Sequence, residues 1–119
     1  MKLYVDGESV GLCGPIKLLQ FAIEDGPVQF IPFMRGWEAD RQVREALCNF
    51  WELLKSPETL FIGYNTGFDL NLILKTIHRM QGHAYDSKER PVAPFACKVL
   101  DLQTHAVRNS PLSPFAFSK

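Results

Sequence analysis

Two acids near the start of the chain, Asp6 and Glu8, stand one residue apart in Leu3-Tyr4-Val5-Asp6-Gly7-Glu8-Ser9-Val10-Gly11-Leu12. Apolar residues run into the first acid, and a glycine-containing turn follows the second. In an extended strand, residues two apart share a face, so these carboxylates project side by side from the strand's end. Like charges held together are relieved by a shared proton or a shared cation, and hard ions such as Mg2+ prefer oxygen ligands. A strand ending in a solvated acidic turn has the same local pattern. A third acid, Asp69, lies in Thr66-Gly67-Phe68-Asp69-Leu70-Asn71, which opens a helix after the apolar run Leu60-Phe61-Ile62-Gly63-Tyr64-Asn65. The helix dipole favours a carboxylate in the first turn, so Asp69 taken alone reads as a dipole-compensating acid.

The elements that must position these acids follow from periodicity. Lys2–Asp6 is expected as the first strand, and Ile16–Glu24, apolar on both faces, as a central second strand. Asp25-Gly26 signals a hairpin, which leads into a third strand over Val28–Met34. Pro32 cannot donate to a ladder, so that strand belongs at a sheet edge. Val43, Leu47, Phe50, Trp51 and Leu54 recur at helical spacing over Asp40–Lys55, and Ser56-Pro57 ends the helix. Leu60–Gly63 then returns as a parallel strand beside the first, which brings Asn65 and Asp69 to the sheet end that carries Asp6 and Glu8. A second helix with Phe68, Leu72, Ile73, Thr76, Ile77 and Met80 on one side runs to Gln81-Gly82. On its other side Lys75 and Arg79 face solvent or phosphate. Gly82–Pro94 reads as a surface loop, and Leu102–Arg108 as the start of another helix. Asp101 is expected first as a cap.

Asp6-x-Glu8 with Ser9-Val10-Gly11-Leu12, and Asn65-x-x-Phe68-Asp69-x-x-x-Ile73, resemble the first two motifs of the DnaQ-like (DEDD) 3′–5′ exonucleases of the ribonuclease H-like superfamily, which includes polymerase proofreading domains. The resemblance implies an α/β fold: a ribonuclease H-like mixed sheet, with a three-stranded antiparallel meander, parallel strands and flanking helices. Phe95–Asp101 resembles the next strand of the family and is read as a strand on that ground alone. It implies two-metal phosphodiester hydrolysis with Mg2+ or Mn2+, the two ions roughly 3.5–4 Å apart. Asp6 would bridge both ions, Glu8 would share one with the attacking water, and Asp69 would hold the other. Phe68 would pack under Asp69, Asn65 would pin the strand-to-helix turn, and Gly11 and Leu12 would wedge against the terminal base. The implied partner is a nucleic acid 3′ end, single-stranded, held through phosphate, sugar and stacking.

The sequence departs from the family in two places. Gly7 stands between the acids where the family has a bulkier residue. The third motif, a Tyr or His four residues before a last Asp, is missing, since no acid follows Asp101. Residues 1–119 therefore read as a single, partial exonuclease-like domain, C-terminally incomplete and weak by itself. The Phe-rich end at Phe115 and Phe117 calls for a covering surface from a second copy or a polymerase-type partner chain.

Composition bounds the alternatives. Of 119 residues, 46% are hydrophobic and 12% aromatic, which fits a globular domain and not a disordered one. Formal charge is zero, divided as −3 over residues 1–60 and +3 over residues 61–119. That excludes a protein built only to coat DNA, which would be more basic. Cys13, Cys48 and Cys97 lack metal-site spacing and read as reduced thiols of a cytoplasmic protein. No membrane span is expected. His78 and His83 miss the i, i+4 spacing of a helical zinc site, so these and His105 are expected at the surface or partly buried. Two rival functions keep the fold. One is a non-catalytic module that binds single-stranded nucleic acid or a protein; the other is an endonuclease of the ribonuclease H kind, against which the Asn65-x-x-Phe68-Asp69 motif argues.

Overall fold

The computed structural model describes residues 1–11, 14–82 and 95–103. Strand β1 spans Lys2–Ser9, β2 Ile16–Ile23 and β3 Gln29–Pro32; a short 3-10 turn, Trp37–Ala39, leads into helix α1, Arg41–Lys55. Then come β4, Leu60–Gly63, helix α2, Thr66–Met80, and β5, Lys98–Asp101. The five strands form one mixed sheet in the order β3-β2-β1-β4-β5. β1, β2 and β3 pair antiparallel, whereas β4 lies parallel to β1 and β5 parallel to β4. The chain is thus an α/β fold, with the edge strand expected from Pro32 and the parallel return expected of Leu60–Gly63.

Alternation in β1 divides the sheet into two unlike faces. Leu3 and Val5 are buried, whereas Tyr4, Asp6 and Glu8 are exposed. Leu3 pairs with Ile23 and Phe61, and Val5 with Phe21, so one face gathers the large apolar residues. That face forms a single core with Leu47, Phe50 and Leu54 of α1 and Leu72, Ile73 and Ile77 of α2. Phe50 is fully buried and meets Phe21 edge-on, ring centroids 4.9 Å apart. Helix α1 begins at the Asp40 side chain, which accepts from the amides of Gln42 (2.9 Å) and Val43 (3.3 Å). The other sheet face exposes Tyr4, Phe30, Tyr64 and Leu100.

Several expectations change. β1 runs three residues beyond Asp6, with a register shift between Glu8 and Ser9. β3 is shorter than Val28–Met34 because it pairs only over Gln29–Pro32 with Phe21–Leu18. His78 is buried instead of lying near the surface, because the apolar side of α2 is wide enough to include it. Arg79, expected to face solvent or phosphate, is exposed and paired with Glu38 at 3.2 Å. The expectations for Leu12, Cys13, His83, the loop up to Pro94, His105, Phe115 and Phe117 fall outside the described residues.

Candidate metal centre

Parallel pairing of β1 with β4 extends only from Lys2↔Leu60 to Tyr4↔Ile62. β4 ends at Gly63 and turns into α2, so the β1 edge beyond Val5 loses its ladder partner on that side. Strand termini of this kind leave backbone groups that need other partners. Asp69, in the first turn of α2, lies near the Gly7 amide, which acts to lower its pKa. The turn that delivers it is tight. Asn65 sits in the left-handed region at φ 64°, ψ 57°, and its side chain makes no capping bond. Its carbonyl accepts from the amides of Phe68 (3.1 Å) and Asp69 (3.3 Å), which starts the helix.

Glycines make room for the Asp69 carboxylate. A Cβ at Gly7 would lie 3.4 Å from Asp69 Oδ1, and a Cβ at Gly63 would lie 3.6 Å from Oδ2. At Gly63 the added carbon would also stand 3.0 Å from the Val5 carbonyl oxygen. Gly7, which by sequence alone only loosens the packing between the acids, borders the buried carboxylate, and a Cβ there would meet it at ordinary contact distance.

Asp69 is 3% exposed, and its Oδ2 has no hydrogen-bond partner. Burial is the main cause that raises its pKa from 3.8 to about 6. The charge of Asp6 adds to the rise, the Gly7 amide opposes it, and Asp101 contributes a smaller repulsion. Asp6 and Asp69, far apart in the chain, therefore meet electrostatically at the end of β1.

Glu8 lies farther along β1, exposed on the open face with Asp6. The acids acting on Asp69 are Asp6 and Asp101, not Glu8. Among the described residues, no three His, Cys, Asp or Glu side chains stand close enough together to hold a metal ion. Phe68, expected to pack under Asp69, is 36% exposed. Asn65 holds the turn through its backbone and not its side chain. Gly11 is exposed at φ 71°, a left-handed conformation suited to glycine.

No protein family, curated protein or solved structure matches this chain. The donor set consists of hard carboxylate oxygens, and one of them is desolvated and unpartnered. Such an oxygen is costly in the ionised state unless a proton or a cation meets it. Asp69 fits a divalent cation in this respect, whereas Asp6 is exposed and reaches it only through its charge.

Asp101 does more than cap its own turn. Its Oδ1 accepts from the nearby Gln103 amide (2.9 Å) and from Asn65, thirty-six residues away (3.0 Å). An Asp two residues before an amide it can cap is a visible signal of the first bond. Nothing in the sequence signals the second. Cys97 is buried, and burial pushes its thiol pKa up, so it fills core space and is a poor nucleophile. Among the described residues, no helix is long and apolar enough to cross a membrane.

Proposed function

We propose that this chain acts as a metal-dependent 3′–5′ exonuclease, which removes nucleotides from DNA or RNA ends in the manner of polymerase proofreading. One observation carries the reading: the buried Asp69 carboxylate, with one oxygen unpartnered, lies under the charge of Asp6 where β1 outruns β4. A meander joined to parallel strands also agrees with the ribonuclease H-like sheet implied by the two motifs.

In this reading Asp6 and Asp69 hold Mg2+ or Mn2+, and Glu8, which stands apart from them along β1, would have to move toward them to join the set. A divalent ion, when bound, polarises the phosphodiester and lowers the pKa of water. The chain's own residues do the rest. Asp69 competes for proton and cation at one oxygen, so loading is favoured above its pKa of about 6. The exposed ring of Phe68, one residue before Asp69, is placed to stack on a terminal base. Gly11, in the turn after β1, belongs to the substrate side.

Calorimetric titration with Mn2+ in mildly alkaline buffer tests the metal reading, with Asp6→Ala as control. Binding by the parent chain and its loss in Asp6→Ala are expected. A 5′-labelled single strand should then shorten in single-nucleotide steps, slowly unless a partner supplies the missing acid. Internal cuts would instead favour the ribonuclease H-type endonuclease.

A second reading is favoured by a separate observation. The open sheet face carries Tyr4, Val28, Phe30, Tyr64, Leu100 and Leu102, each more than a third exposed. An apolar, aromatic face of this kind suits a non-catalytic module that binds single-stranded nucleic acid or a protein. Single-strand binding without Mn2+, unaffected by Asp6→Ala, would select it.

A further inference from the structure

We propose that Asp101 is a positioning residue for the acid site: it holds the β4–α2 turn and, through it, Asp69 against the end of β1. This rests on the exonuclease reading for its purpose, though not for its geometry. Register puts Asp101 opposite Gly63, the last residue of β4. From there its Oδ1 reaches past Tyr64 to accept the Asn65 amide at 3.0 Å. The same oxygen accepts the Gln103 amide at 2.9 Å, which fixes the carboxylate in place over its own turn. Asn65 in turn gives its carbonyl to the Asp69 amide at 3.3 Å. Two hydrogen bonds therefore connect Asp101 to the backbone of Asp69.

The clamp answers a need that is visible at Asn65. A left-handed φ of 64° is uncommon outside glycine, and although asparagine adopts it more readily than most residues, it is less favoured than negative φ unless neighbouring contacts hold it. Its side chain makes no capping bond, so the hold comes through its main chain. Without an acceptor at Asp101, the turn is free to relax toward negative φ. The first turn of α2 would then rotate, and Asp69 would leave the space over Gly7 and Gly63.

Asp101→Ala and Asp101→Asn separate this role from its rivals. Asparagine keeps an acceptor oxygen at the same reach, whereas alanine keeps none. Mn2+ affinity of the whole chain should fall about tenfold or more in Asp101→Ala, the range typical of residues that orient ligands. In Asp101→Asn it should stay close to that of the parent. Hydrogen exchange of the Asn65 amide should speed up in Asp101→Ala and remain slow in Asp101→Asn. Equal loss of affinity in both variants would make Asp101 a ligand and overturn the proposal. Unchanged affinity and exchange in both would make it a bystander and overturn the proposal equally. Should Asp101→Ala fail to fold, Asp101→Asn alone decides: retained affinity with slow Asn65 exchange supports the clamp, and a loss of about tenfold rejects it. A parent chain that binds no Mn2+ would sink the exonuclease reading, while Asn65 exchange would still report on the clamp.

Discussion

Asp69 is a carboxylate that folding penalises when it is ionised. The rise from 3.8 to about 6, at about 1.4 kcal/mol per pH unit, disfavours the ionised folded form by about 3 kcal/mol. Because the folded pKa lies above the unfolded one, the associated stability is complete below pH 3.8 and is lost as pH rises through about 6. Asp69→Asn cannot ionise. In metal-free buffer it should match the parent near pH 4 and exceed it by up to about 3 kcal/mol at about pH 8, as read from urea midpoints. A constant difference across that range would show that burial does not govern this group. The same substitution should abolish Mn2+ binding. The shared face of Asp6 and Glu8 was legible, because strand alternation is local. The Gly7 amide that meets Asp69 was not, because it becomes available only where β4 stops.

Elements set how closely these side chains can approach. Gly63 ends β4 with no space for a side chain: an added carbon would stand 3.0 Å from the Val5 carbonyl and 3.2 Å from Thr66 Cγ2. Gly63→Ala should therefore cost about 1–3 kcal/mol, as overpacking does, and weaken Mn2+ binding by moving α2 off β1. Thermal melts with and without Mn2+ check both effects. Helix α1 acts at a distance by covering the sheet. Phe50→Ala removes a ring that is 1% exposed and packed on Phe21, which should cost about 3–5 kcal/mol in denaturant unfolding. The extent of α1 and β4 was readable because helical period and Pro57 act within a few residues, while Asp40, read as the first helical residue, caps the helix instead. The extension of β1 to Ser9 was not, since it depends on pairing with β2 as far as Ile16.

At the scale of the whole molecule, the described residues cover the sheet on one face and leave it open on the other. Helices α1 and α2 join the core on the face of Leu3 and Val5, while Tyr4, Phe30 and Tyr64 stay exposed. Phe30→Ser, at a position 60% exposed, should change folding stability by no more than about 0.5 kcal/mol. If the open face binds a strand or a protein, the same change should weaken that binding severalfold in a fluorescence titration. An effect on stability with none on binding would remove the binding-module reading. The sequence by itself determined the element types, the edge position of Pro32, the parallel return of Leu60–Gly63 and the common face of Asp6 and Glu8, because propensity, period and turn chemistry act over short stretches. Only the tertiary structure decided that Asp69 is buried over Gly7, that Asp101 bonds to Asn65, and that Glu8 stands apart from the pair. Those relations depend on where β4 ends relative to β1 and β5, a matter of register between segments far apart in the chain, which no local pattern encodes.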